Sequence, residues 1–247
     1  MPRARRSNIN HLVEVYVENQ PLVSQFQSQL LTSLQGSSDL MQHVHSIKGR
    51  LKDPEHLRDK LKRRAEDLRR DRKPFDVEPE NLLTQINDLA GIRILHLYTR
   101  QIAKIDAALR NILHEQRFSL LEGPFARTWD DESRSFFAAC GIETQESPSL
   151  YTSVHYVVGS ASRTMITCEI QVRTLMEEVW GEVDHSMNYP HEVESLACRE
   201  QLKVLARVTS SATRLVDSIF VTLDDHRRIA SNRTTKPRRR RQRQTKP

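Results

Sequence analysis

The sequence predicts a mixed α/β (α+β) domain with helical extensions at both ends. Apolar residues recur at helical spacing near the N-terminus, at Leu12, Val15, Leu22, Phe26 and Leu30. Short β-branched runs occupy residues 91–98, 152–158 and 165–172. Helical periodicity returns from about residue 174 onward. A few strands interleaved with helices, between helical flanks, make a sheet packed against helices.

In chain order, residues from about Asn8 to Leu34 read as one or two helices. Gly36-Ser37-Ser38-Asp39 breaks the pattern, and Ser38 or Asp39 is the expected N-cap of a second helix running to about Ile47. Asp53-Pro54-Glu55 opens a third, because proline fits the first helical turn, where its missing N–H costs nothing. That helix is dense in cations: Arg58, Lys60, Lys62, Arg63 and Arg64. Arg70–Pro79 is polar, holds two prolines and reads as a loop. Gly91–Tyr98 is a strand and about Gln101–His114 a helix. Arg117–Thr144 looks irregular, with one short strand and a mobile loop. Thr152–Val158 and Met165–Val172 are strands, and Gly159–Arg163 between them suits a hairpin. Two long helices follow, from about Thr174 to Met187 and from about Glu192 to Ile229.

The 247 residues are 37% hydrophobic and 28% charged, which fits a modest core under a charged surface. No run of eighteen apolar residues occurs, and the basic N-terminus lacks the apolar stretch of a signal peptide. The protein is therefore expected to be cytoplasmic, with no membrane partner. Cys140, Cys168 and Cys198 are too few and too far apart for a disulfide framework or a CxxC zinc site. Of the net charge of +6, the segment 236–247 alone contributes seven cations, so the remainder is close to neutral. Such a tail cannot bury apolar surface and is expected to be disordered, and it could contact RNA through phosphates.

Two segments carry candidate chemistry. In Cys168-Glu169-Ile170-Gln171-Val172-Arg173, alternation sends Cys168, Ile170 and Val172 to one side and Glu169, Gln171 and Arg173 to the other. The polar side is either a solvated strand face or the floor of a site. In Asp88-Leu89-Ala90-Gly91-Ile92-Arg93-Ile94, an acid stands at the entry to a strand and an arginine lies inside an apolar run. That arginine must pair, stack or contact a phosphate. Two carboxylates with nearby cations suit magnesium, which is commonly held by one or two carboxylates plus substrate phosphates. This is minimal equipment for phosphoryl chemistry. The sequence has no GxxxxGK[ST] loop, no GxGxxG after a strand, no HExxH and no GxSxG.

Taken together, the motifs resemble the RelA/SpoT synthetases. Gly49-Arg50-Leu51-Lys52-Asp53-Pro54-Glu55 with Lys60-Leu61-Lys62-Arg63 resembles that family's basic ATP-binding segment. Asp88–Ile94 is similar to its magnesium-aspartate strand, and Tyr151-Thr152-Ser153-Val154-His155 to its guanine-binding Tyr-x-Ser-x-His loop. Glu169–Thr174 resembles its second acidic motif, and Trp180–His185 with Tyr189 the helix after it. Leu150 stands where the family usually has glycine, so a differently shaped acceptor loop is expected there.

The resemblance implies a mixed β-sheet of about five strands flanked by helices, of the nucleotidyltransferase-like synthetase kind. It divides the chain into an N-terminal helical extension (1–38), a synthetase domain (39–190), a C-terminal helix (191–231) and the basic tail (232–247). It implies transfer of the β,γ-pyrophosphate of ATP to the 3′-hydroxyl of GDP or GTP, in a short, synthetase-only member. Asp88 and Glu169 would hold Mg2+ and serve catalysis. Arg50 and Arg93 would sandwich the adenine, and Lys52, Lys60 and Lys62 would grip phosphates. Tyr151, Ser153, His155, Gln171 and Arg173 would line the acceptor site. Toxin-type relatives modify the 3′ end of tRNA or adenosine nucleotides, an acceptor that the cationic surface would suit. An inactive RNA-binding regulator is the non-enzyme alternative, against which the retained acids argue. The terminal helices are candidate surfaces for a homo-oligomer or an antitoxin partner.

Overall fold

The computed structural model describes residues 3–188 and 193–234. Tyr189 and the basic segment 236–247 lie outside the described residues. The first helix, α1 (Arg3–Gly36), is one continuous helix and is followed by a single turn, α2 (Ser38–Met41). The cap of that turn is Ser37, not Ser38 or Asp39, and its hydroxyl accepts from the Leu40 N–H at 3.2 Å. The expected second helix stops at Met41; a turn follows, and strand β1 (Ser46–Leu51) begins just before the expected helix end. Next come α3 (Pro54–Arg70), α4 (Leu82–Gln85), β2 (Ala90–His96), a short 3-10 turn and α5 (Ile102–Glu115). Asp53 caps α3 by accepting from the N–H groups of Glu55 and His56.

The segment expected to be irregular is ordered into β3 (Ser119–Thr128), α6 (Asp131–Ala139) and β4 (Glu143–Glu146). Its pattern is hidden because β3 shifts register twice against its neighbour, around Gly123-Pro124, so no clean alternation survives. Strands β5 (Ser153–Gly159) and β6 (Thr167–Thr174) form the expected antiparallel pair, followed by α7 (Leu175–Asn188) and α8 (Leu196–Thr234).

Six strands, one more than expected, form a mixed sheet in the order β1-β2-β6-β5-β3-β4. β2 and β6 run parallel at its centre, flanked by antiparallel partners on both sides. One face is apolar. Ile92, Ile94, Ile170, Val172, Val154 and Tyr156 pack there into a single core with α1 and α5. Helix α1 contributes Leu12, Tyr16, Val23, Phe26 and Leu30 to that core. It also reaches the strands directly, since Gln27 donates to the Gly91 carbonyl at 2.9 Å and Tyr16 to that of Lys52 at 2.6 Å. A second, smaller cluster joins Trp180 of α7 to Leu202 and Ala206 of α8. All three cysteines are free. Among the described residues, no helix is long and apolar enough to cross a membrane.

Candidate active site

The other face of the sheet is polar, and register explains its content. Lys48 lies opposite Arg93, Arg93 opposite Gln171, and Gln171 opposite His155. Because side chains alternate along each strand, these four residues share a face with Arg50, Glu169, Arg173 and Ser153. Gly91 sits between Arg50 and Glu169 in the ladder, so the middle of that row carries no side chain. A cleft opens there, lined by Lys48, Arg50, Asp88, Arg93, Glu169 and Gln171.

The two acids predicted from the sequence both face this cleft. Asp88 accepts from Lys52 and from Lys60, each at 2.7 Å. Burial pushes the Asp88 carboxyl up, but the two ammonium groups outweigh it and hold the acid below its ordinary range. Lys52 is lowered by its own burial, which Asp88 opposes. Glu169 accepts from His155 Nδ1 at 3.0 Å and from Gln171 at 2.8 Å. Burial raises its carboxyl too, but the hydrogen bond and charge of His155, together with the bond from Gln171, outweigh that and hold the acid below its ordinary range. The Asp88 carboxylate acts in the opposite sense on Glu169, as expected of two acids within electrostatic range. His155 is in turn bonded through Nε2 to Ser153 and stacks on Phe125, with ring centroids 5.6 Å apart.

Among the described residues, no group of three or more His, Cys, Asp or Glu side chains could hold a metal ion. Two all-oxygen donors on one cleft nevertheless suit magnesium, whose remaining positions are commonly filled by water and substrate phosphate. Asp88 and Glu169 are the residues that would hold it.

A second cleft shares Arg50 and Arg93 with the first and extends past Tyr151, Arg173 and Trp180 to Asp184 and His185. The Tyr151 hydroxyl donates to Gln171 at 3.3 Å and accepts from Arg173 at 3.3 Å. The Arg173 guanidinium also lies over the Tyr151 ring, 5.5 Å from its centroid. The loop before Tyr151 is pinned by Ser147, whose hydroxyl accepts the Tyr151 N–H at 3.2 Å. Leu150 has φ +61°, the left-handed conformation that glycine adopts at less cost. Leucine at this position therefore takes the backbone shape a glycine would take.

Ten of the predicted residues gather along these clefts and the strands beneath them: Arg50, Lys52, Lys60, Asp88, Arg93, Tyr151, His155, Glu169, Gln171 and Arg173. Ser153 lies behind them, buried against His155. Lys62 is placed elsewhere. It lies on the flank of α3 opposite Lys60, paired with Asp59 at 3.0 Å, because two residues along a helix turn a side chain by about 200°.

Sequence reasoning missed the acids of α7. Arg93 donates through Nη1 to Glu178 at 2.7 Å and to Glu182 at 2.6 Å. Burial lowers the Arg93 guanidinium, and these two carboxylates more than restore it. Glu178 also pairs with Arg173. Gly181 makes room for this arrangement, since a Cβ there would lie 2.6 Å from Arg173 Nη1. The signal was the spacing of Glu178 and Glu182, one helical turn apart, which puts both on one face.

A family model described as a region found in RelA / SpoT proteins matches residues 49–194, more than half of the chain and the stretch that holds every residue lining the two clefts except Lys48. No curated protein gives a significant match. Among solved structures, small alarmone synthetase 1 from Bacillus subtilis bound to its product pppGpp is 21% identical, with 82% of this chain and 94% of that one covered and a TM-score of 0.56. The same synthetase bound to AMPCPP is 18% identical, covers 82% of this chain and 95% of that one, and has a TM-score of 0.54. A GTP pyrophosphokinase family protein from Streptococcus pneumoniae is 19% identical, with 92% and 97% covered and a TM-score of 0.56. At these identities the likeness is one of fold. With its motifs in order along one polar sheet face and the family model spanning them, the chain belongs to the RelA/SpoT family.

Proposed function

We propose that this protein is an ATP-dependent pyrophosphotransferase that places the β,γ-pyrophosphate of ATP on the ribose 3′-hydroxyl of a guanosine nucleotide, GDP or GTP. The single observation that carries the reading is the meeting of Asp88 and Glu169 on one cationic cleft that opens into a second, aromatic cleft. Two adjoining clefts suit two nucleotides whose reacting atoms meet at the junction. The structural relatives titled as bound to AMPCPP and pppGpp support nucleotides of these classes as ligands.

The donor would occupy the first cleft. Its phosphates draw Lys52 and Lys60 away from Asp88, whose oxygens are then available to a divalent ion. Magnesium, when bound, supplies charge neutralisation between the two anionic substrates. The acceptor base stacks on Tyr151, and Arg173 holds that ring in place. The acceptor oxygen bonds to the β-phosphorus as the bond from that phosphorus to the α,β-bridging oxygen breaks, and AMP leaves. Glu169 takes the hydroxyl proton, and His155 and Gln171 fix its carboxylate for that task.

Labelled ATP incubated with magnesium and GDP, GTP, an adenosine nucleotide or tRNA in separate reactions tests this. Label on GDP or GTP supports the proposal. Label on tRNA or the adenosine nucleotide alone would replace its acceptor, and label on none of the four would reject it.

A further inference from the structure

Between the end of β6 and helices α6, α7 and α8 lies a polar cavity, lined by Ser153, Arg173, Thr174, Glu177, Ser210 and Arg214 among others. Arg173 is the one described residue that lines both this cavity and the second cleft. A guanidinium has five N–H donors. In Arg173, Nη1 donates to Tyr151 and Nη2 pairs with Glu178, whereas Nε is buried without a partner among the described residues. Glu177, itself buried, borders the cavity and meets Arg173 through charge, with no hydrogen bond between them. The groups around Glu177 leave it protonated at neutral pH. Burial pushes its carboxyl up to about 8, Asp130 adds to the rise, and the charge of Arg173 only partly opposes it. Arg214 of α8 is paired with Asp130 and Glu132. His96 of β2, on the cavity wall, is uncharged because burial pushes its imidazole down to about 4.

Resting on the reading of the second cleft as the acceptor site, we propose that Glu177 is a positioning residue: protonated, it leaves Arg173 against Tyr151, and ionised, it draws that guanidinium off the ring and into the cavity. Glu178 already pairs with Arg173, and Glu182 lies 4.0 Å from it. A third carboxylate competes for the same cation, and the buried Nε is a donor still open to it. The same ionisation places a negative charge beside a cleft that takes an anionic nucleotide, which repels it. Both effects weaken acceptor binding. Neither reaches the first cleft directly, since its lining includes neither Arg173 nor Glu177. Glu177 keeps its proton below a pH of about 8 and loses it above. Acceptor affinity therefore falls as the pH rises through that value.

Titrations of GDP and of a non-hydrolysable ATP analogue, each with magnesium, test this at pH 6.5 and pH 9. The proteins are the wild type, Glu177→Gln and Glu177→Met. Both substitutions nearly keep the side-chain volume and are uncharged at either pH, and ionisation of the nucleotides is common to all three proteins. At pH 6.5 the variants should match the wild type. Between pH 6.5 and pH 9 the wild type should lose roughly tenfold more GDP affinity than either variant, the equivalent of one pH unit of linkage. Binding of the ATP analogue should follow one profile in all three. Either variant that folds is sufficient for the comparison, and a wild type whose GDP affinity does not fall overturns the proposal without them. A merely structural role would lower GDP affinity in the variants equally at both pH values. That outcome, or equal pH profiles in all three proteins, overturns the positioning role alone. A wild type that binds the ATP analogue but not GDP at pH 6.5 overturns the acceptor reading, and the positioning role with it.

Discussion

Lys60 of α3 donates to Asp88 at 2.7 Å across 28 residues of sequence, whereas Lys62, two residues further on, pairs with Asp59 on the far flank of the same helix. The two lysines look equivalent in the sequence and are not equivalent in the fold. Replacing Lys60 with methionine should weaken ATP binding about tenfold or more, because a phosphate-gripping charge is lost at a half-buried site. Lys62→Met should change it less than roughly twofold, as expected for an exposed i,i+3 pair. Titration of an ATP analogue into both variants checks this, and equal losses would contradict the geometry.

Glu177 gives a pH test. It is 6% exposed in the first turn of α7. Burial pushes its carboxyl from 4.5 to about 8, with Arg173 opposing and Asp130 adding to the rise. Between those values the folded state keeps a proton that the unfolded chain has released. Stability conferred by that proton is complete below the lower value and is lost as pH rises through the upper one, by up to about 1.4 kcal/mol per pH unit. Urea unfolding at pH 5.5 and pH 8 should show this loss in the wild type and a smaller one in Glu177→Gln. Parallel behaviour of the two proteins would contradict it.

Gly181 presents a case in which helix propensity and function oppose each other. Alanine is favoured over glycine inside a helix by roughly 1 kcal/mol. The added Cβ, however, would meet Arg173 Nη1 at 2.6 Å and push the guanidinium off the Tyr151 ring. Gly181→Ala should therefore unfold no earlier than the wild type yet bind the acceptor nucleotide several-fold more weakly. Thermal unfolding and acceptor titration together decide this. Unchanged acceptor affinity would mean that Arg173 has no part in that cleft.

Tyr151→Ala separates the two clefts. The ring stands in the second cleft and not in the first. Acceptor binding should fall by about 1–3 kcal/mol, the usual worth of a base–aromatic stack, with ATP-analogue binding nearly unchanged. A loss confined to ATP binding would reverse the assignment of the clefts.

Much of this arrangement was legible in the sequence where one residue's neighbours suffice to fix its direction. The alternation of Glu169, Gln171 and Arg173 around buried Cys168, Ile170 and Val172 reads directly as a two-faced strand. Strand β1 was harder, because only Ile47 of its six residues is buried and its charged members face the cleft. The ten residues of β3 were obscured by two register shifts, and their fit depends on the partner strand. The α7 acids were invisible as partners of Arg93 because they lie 85 and 89 residues away in the chain. Helix α8 leaves Val204, Val208, Leu215 and Ile219 each more than half exposed. Periodicity alone marks such a stripe as apolar but does not say what it meets.

The most direct test uses ATP labelled in its β-phosphate, with a saturating guanosine nucleotide and magnesium, in the wild type and in Asp88→Asn and Glu169→Gln. Each substitution removes a carboxylate charge at nearly constant volume, so folding should be retained. The wild type should release AMP in equal amounts with labelled acceptor, and both variants should release neither, by at least roughly a hundredfold. Formation of ADP instead of AMP, or undiminished turnover in either folded variant, would contradict pyrophosphate transfer at this pair of acids.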